Sequence, residues 1–144
     1  LIIKMADDNV KFNLAISLHS AIEKTRNEIM PFSKKFPLED LLEAVKYWNF
    51  KTNKIVTYEY IVWEGINDND EHINALVKFC KSSPSKVNLI EYNTTDNKLF
   101  KSANNKAINQ YVSKHEKNKI PVTIRKSRGK DIDAACGQLA NKLE

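Results

Sequence analysis

Cys136 is where this chain has the most chemistry in prospect. It stands in the run DIDAACGQLA, with Ala135 before it and Gly137 after it. Small neighbours leave a sulfur open to a bulky partner, and Gly137 removes a Cβ where a backbone or ligand must come close. A thiolate is a nucleophile. Just upstream, Arg125, Lys126, Arg128 and Lys130 form a basic run suited to phosphate. The structural alternative is a glycine-containing turn followed by a terminal helix with a buried cysteine, because free cysteine is often a small core residue. Three further places carry polar chemistry. Ser17 and His19 close the run FNLAISLH, Asn93 closes KVNLIEYN, and Glu59 lies inside IVTYEYIV. His19 reads either as a ligand contact or as a strand-end histidine satisfied by hydrogen bonds. Glu59 reads either as a functional carboxylate or as a solvent-facing acid.

Elements must hold these groups. Phe12–His19 is mostly apolar and too short for a helix, which suits a buried parallel strand. Ile55–Val62 alternates and is rich in β-branched and aromatic residues, so a second strand is expected there, followed by the turn WEGINDND. Lys86–Asn93 and Ile120–Arg125 supply a third and a fourth. Between them lie helical patterns. Residues 1–9 read as the end of a helix. Leu38, Leu41, Leu42, Val45 and Trp48 mark a stripe running to about Asn49, with Pro37 suited to its start. Ile73, Leu76, Val77, Phe79 and Cys80 mark another over Glu71–Ser82, with Asp68 placed to cap it. Asn105–Lys117 is amphipathic, and a last helix is expected over about Asp131–Lys142. Ala21–Phe36 reads as a connection and Thr94–Ser102 as a polar loop. Helices alternating with strands predict an α/β fold with a parallel sheet and helical crossovers. In such folds ligands gather at the C-terminal ends of the strands, where Ser17, His19 and Asn93 fall.

The 144 residues fit one domain or part of one, and residues 1–144 are read here as a single partial domain. Three glycines are few for the loops of a complete α/β barrel. The chain opens at Leu1 with Ile2 and Met5 at helical spacing, which predicts a fragment of something longer. A net charge of +5 is compatible with a polyanion partner. No apolar run reaches the roughly 18 residues of a membrane span. Two cysteines make no disulfide framework, so a reducing cytoplasm is expected.

The segment DIDAACGQLA, with RKSRG before it, resembles the C-terminal signature of the radical-SAM adenine C2-methyltransferases of RNA, the RlmN type. The ACGQL core is shared by their relatives, the Cfr-type carbon-8 methyltransferases. Further matches occur upstream in the right order. Ser17-Leu18-His19 matches a strand-end triplet. Arg26, Met30, Pro31, Lys34, Lys35 and Pro37 resemble an R…IMPxxxKxP segment, with Phe32 and Ser33 where asparagine is commoner. YEYIVWEGINDND resembles FEYVLLxGVND. Asn93 matches too, although Glu91 and Asp96-Asn97-Lys98 replace proline and glycine nearby. The resemblance spans the whole chain but only the C-terminal part of such an enzyme.

It implies the C-terminal half of a (β/α)6 partial TIM-like barrel with parallel strands, plus a C-terminal strand and helix. It implies that Ser17, Leu18, His19 and Asn93 contact S-adenosyl-L-methionine and that Cys136 is catalytic through an S-methylcysteine intermediate. A radical derived from a second donor molecule then activates that methyl group, which attacks carbon 2 of an adenine. Carbon 2 is a poor site for polar methyl transfer, and a carbon radical tethered to the protein avoids that limit. The implied partners are 23S rRNA, with tRNA left open, and an electron donor such as flavodoxin, in the cytoplasm. The basic run Arg125, Lys126, Arg128 and Lys130 is the candidate RNA contact, read from its charge alone. The resembled radical-SAM enzymes hold a 4Fe-4S cluster through three thiolates in a CxxxCxxC spacing. Cys80 and Cys136 do not supply them, so the cluster ligands are expected upstream and the chain alone is expected to be inactive. Other readings stay open: a Cfr-like carbon-8 methyltransferase, a non-catalytic RNA-binding α/β module, or a small-molecule enzyme pairing Cys136 with His19, His72 or His115 as base.

Overall fold

In the computed structural model residues 1–8, 10–92 and 103–127 are described. They build four strands, β1 (Ala15–Ser17), β2 (Val56–Ile61), β3 (Ser85–Tyr92) and β4 (Val122–Ser127). Five helices alternate with them: α1 (Ile2–Asp7), α2 (Glu23–Ile29), α3 (Leu38–Thr52), α4 (Asp70–Lys81) and α5 (Asn105–Lys117). The sheet order is β1-β2-β3-β4 and every pairing is parallel. Parallel neighbours cannot be joined by a hairpin, so each connection is a helical crossover. The α/β architecture expected from the alternating patterns is therefore the one observed.

The period-2 alternation of β2 sorts its side chains. Val56, Tyr58 and Tyr60 are fully buried, and they join Val87 and Leu89 of β3 under the helices. Val45 and Trp48 of α3, Ile73, Leu76 and Val77 of α4, and Ile108 and Tyr111 of α5 complete this core. Cys80 lies in it, 4 % exposed, as its place on the α4 stripe predicts. The opposite face of the sheet is polar at its middle and closes at its C-terminal end with a second apolar group, Ile61, Trp63 and Ile90, packed by Ile29 and Ile66.

Several boundaries differ from the sequence expectation, each for a local reason. β1 starts three residues later than expected, and it ends at Ser17 rather than His19 because His19 takes a left-handed φ of 59° and turns the chain out of the sheet. The stretch read as a connection over Ala21–Phe36 holds α2 and a 3-10 turn, Pro31–Lys35. α3 runs on to Thr52 and stops where Asn53 takes a left-handed φ of 55°. α4 is capped by Asn69, whose side chain accepts from His72 N, and not by Asp68; Asp68 instead accepts from Gly65 N at 3.0 Å within the preceding turn. β4 begins two residues later than expected and runs two residues beyond Arg125, taking in Lys126 and Ser127. The expected loop over Thr94–Ser102 and the last helix lie outside the described residues.

Candidate functional site

The C-terminal end of β1 is where the candidate residues meet the sheet. Ser17 pairs with Glu59 in register and is exposed. Leu18 follows with no exposure: its side chain belongs to the core, and its backbone N–H donates to Glu59 O at 2.9 Å. Any contact Leu18 makes with a ligand is left to its backbone. His19 then turns back tightly, and Ser20 N donates to Leu18 O across it at 2.8 Å. The imidazole is buried, and Nδ1 accepts from Ile61 N at 3.1 Å. A ring that accepts at Nδ1 carries its proton on Nε2, so His19 is an oriented neutral N–H donor. Burial, helped by the nearby Arg26 charge, lowers its pKa to about 4. The Trp63 ring lies 5.4 Å from it, centroid to centroid.

The turn after β2 holds a residue that the sequence reading did not single out. Asn67 is fully buried, and its amide spans three backbone groups. Nδ2 donates to His19 O at 2.7 Å and to Ile61 O at 2.9 Å, while Oδ1 accepts from Trp63 N at 2.7 Å. It ties the His19 turn to the end of β2. The available signal was its place in GINDND, where asparagine beside glycine reads first as an ordinary turn residue.

Glu59 settles between the two readings offered for it. It is half-buried, on the polar face of the sheet, and its Oε2 accepts from Asn88 Nδ2 at 3.1 Å. Thr123 Oγ1 donates in turn to Asn88 Oδ1 at 3.1 Å. With Ser17 in register beside Glu59, one polar row crosses all four strands. Purely parallel sheets are usually apolar on both faces. A polar row here marks a face turned toward solvent or ligand.

Arg26 is a further buried polar group near this end. It is 5 % exposed, NH1 donates to Phe36 O at 3.4 Å, and Nε has no hydrogen-bond partner among the described residues. Arg125 and Lys126 are exposed on β4, and as successive strand residues they lie on opposite faces, so the two do not form a single patch. Arg128, Lys130, Asn93 and Cys136 lie outside the described residues. His72 and His115 are buried on α4 and α5, and His115 Nδ1 donates to Tyr111 O at 2.6 Å. Burial lowers the pKa of both. Among the described residues no three His, Cys, Asp or Glu side chains group to hold a metal ion, and no helix is long and apolar enough to cross a membrane. The chemistry of the donor set does not fit an iron–sulfur cluster. Of two cysteines, Cys80 is shut in the core with its thiol pushed up to about 12 by burial.

No family model matches the chain. Individual relatives do. It is 62% identical over 142 residues to a probable dual-specificity RNA methyltransferase RlmN of Flavobacterium psychrophilum, covering 99% of this chain and 41% of that protein. To the proteins of the same description from Flavobacterium johnsoniae and Christiangramia forsetii it is 61% and 59% identical, again over 99% of this chain. The chain thus spans about two fifths of the length of these relatives. Among solved structures it matches a radical SAM methyltransferase from Sphaerobacter thermophilus with a TM-score of 0.84 and 33% identity, over 95% of this chain and 40% of that one. A domain of a pyruvate-formate lyase-activating enzyme from Bacteroides vulgatus shares the fold alone, with a TM-score of 0.61 and 18% identity, over 77% of this chain and 65% of that one. The four parallel strands correspond to part of a radical-SAM partial barrel, and over nearly its whole length the chain is related to the RlmN-type radical SAM methyltransferases.

Proposed function

We propose that residues 1–144 are one partial domain, the C-terminal part of the catalytic core of an RlmN-type enzyme that methylates carbon 2 of an adenine in RNA. The observation that carries this reading is the Ser17-Leu18-His19 turn at the C-terminal end of a parallel strand. Its histidine is held neutral and oriented by Ile61 N. Ligands of parallel α/β sheets sit at that end. The proposed methyl donor is S-adenosyl-L-methionine, which Ser17 Oγ, His19 Nε2–H, the Leu18 backbone and Asn93 would hold. The thiolate of Cys136 takes the first methyl group: the donor's sulfonium–methyl bond breaks, a new S–CH3 bond forms, and the thiol proton leaves to solvent. Carbon 2 is favoured over carbon 8 by the RGKDID segment, which resembles the carbon-2 enzymes more closely.

The 4Fe-4S cluster of the proposal belongs to the intact enzyme, since the cysteines of this chain do not fit it. A one-electron donor such as flavodoxin would serve that cluster. The proposed substrates are 23S rRNA and tRNA, in the cytoplasm, with Arg125, Lys126, Arg128 and Lys130 offered to phosphate.

The test uses an intact relative carrying these residues. Peptide mass analysis should find a methyl group on the cysteine equivalent to Cys136, and nucleoside analysis of treated RNA should find 2-methyladenosine. Finding 8-methyladenosine instead would establish the Cfr-like alternative. RNA binding with neither methyl product would leave a non-catalytic module.

A further inference from the structure

His19 is held in an uncommon conformation by groups that are themselves held. A non-glycine residue at φ 59° costs about 1 kcal/mol or more, so its surroundings must over-determine it. Two side-chain bonds do so: the His19 ring accepts from Ile61 N, and Asn67 Nδ2 binds the His19 carbonyl. The restraint does not stop at Asn67. Tyr111 of α5 donates its hydroxyl to Asn67 O at 2.5 Å, and its oxygen lies 2.9 Å from the Tyr60 hydroxyl of β2. Asn67, Tyr60 and Tyr111 are all fully buried. The two tyrosine rings stand 5.4 Å apart at 50°, and Tyr111 stacks on His115 one turn further along α5. Water does not reach these groups, so each lost bond leaves an unpaired buried partner. The chain of contacts therefore runs from the middle of α5, on one face of the sheet, to the backbone of His19, two residues past the end of β1.

We infer that Asn67 is a positioning residue, through which the Tyr60–Tyr111 pair of the sheet and α5 fixes the His19 turn and so the donor-facing end of β1. Asn67 itself touches no ligand in this assignment. It acts by setting where the His19 carbonyl and ring stand. The choice of asparagine follows from the partners. Two carbonyl oxygens need two N–H groups, and one backbone N–H needs an oxygen, in a fixed planar fork. Aspartate would set a carboxylate against both carbonyls, and alanine would leave all three groups unpaired. That this matters for a methyl donor rests on the reading given above for Ser17 and His19. The conformational claim does not.

The experiment is done in an intact relative carrying these residues, with Asn67→Ala and Tyr111→Phe made separately. Folding is checked by circular dichroism at a temperature well below both melts. The first readout is the His19 ring by nitrogen-edited NMR. The parent should show the Nε2–H tautomer and stay largely unprotonated between pH 7 and 5. Asn67→Ala should show a tautomer mixture and a titration moved toward the ordinary imidazole range, with Tyr111→Phe shifted the same way by less. Arg26 is the charged neighbour to hold constant, since it disfavours the imidazolium. The second readout is calorimetric affinity for S-adenosyl-L-methionine, expected to fall about tenfold in Asn67→Ala. A folded Asn67→Ala protein whose His19 keeps its tautomer and stays silent to pH 5 overturns the inference. Ser17→Ala and His19→Gln test the donor reading separately. If both leave affinity unchanged that reading fails, while the NMR result still decides the role of Asn67. If Tyr111→Phe leaves the His19 ring untouched while Asn67→Ala releases it, the coupling to α5 is refuted.

Discussion

At the scale of single residues, burial decides what each titratable group can do. His19 has a pKa near 4 in the folded chain and an ordinary value of 6.5 when unfolded. Between those values the unfolded chain binds a proton that the folded chain does not, so stability is full above pH 6.5 and falls as pH drops toward 4. The loss from His19 is on the order of 3 kcal/mol, and His72 and His115 shift in the same direction. Denaturant midpoints measured from pH 7.5 to 4.5 should fall through this window, and His19→Gln should flatten the slope. A slope unchanged by that substitution would remove His19 as its source. The two cysteines separate in the same way. Cys80→Ser is expected to cost about 1 kcal/mol of packing and to leave chemistry intact in an enzyme carrying it. On the proposed reading, Cys136→Ala in an intact relative should abolish RNA methylation, because the sulfur would carry the methyl group. An assay with the opposite pattern would overturn that assignment. The sequence showed His19 and Cys80 because each lies on a readable pattern, a strand end and an apolar stripe. It hid Asn67, whose partners are backbone groups at 19, 61 and 63, and no spacing in a single sequence encodes them.

Elements were legible where their periodicity is long and unbroken. β2, β3, α4 and α5 match the expectation within a residue at each boundary, since 6 to 13 residues give a period room to repeat. β1 was over-extended because apolar character continues through Leu18, one residue past the last strand position, before His19 turns the chain away. α2 was hidden because a seven-residue helix with Arg26 as its buried residue shows no apolar stripe. Its role appears only in three dimensions. Pro37, at the N-cap of α3, has no side-chain acceptor, and the Glu23 carboxylate of α2 supplies one, accepting from Leu38 N at 3.1 and 3.3 Å. This acid also meets the positive end of the α3 dipole. Glu23→Ala should therefore destabilise the fold by about 1 kcal/mol, and Glu23→Gln, which keeps an acceptor oxygen, by less. Chemical denaturation of both variants checks this. Equal losses would mean that the charge matters and the hydrogen bond does not.

The whole molecule presents a parallel sheet whose first strand has a neighbour on one side among the described residues, β2. β1 is short, and two of its three residues, Ala15 and Ser17, are exposed. Unpaired strand edges recruit other chains, and charge or brevity blunts them. β1 is brief but carries no charge. Its surroundings add apolar surface: Phe12 is 51% exposed and Ile55 45%. The chain studied by itself should therefore self-associate in a concentration-dependent way, with β1 as the contact. Ala15→Lys puts a charge on that edge at an exposed position, so it should shift sedimentation toward monomer without lowering the melting temperature. Phe50→Lys supplies the control. Phe50 is 81% exposed near the end of α3, and its replacement removes apolar surface without touching the sheet. If Phe50→Lys disperses the assemblies and Ala15→Lys does not, association runs through exposed apolar side chains and the edge is blameless. If Ala15→Lys alone disperses them, the unpaired β1 edge is the contact.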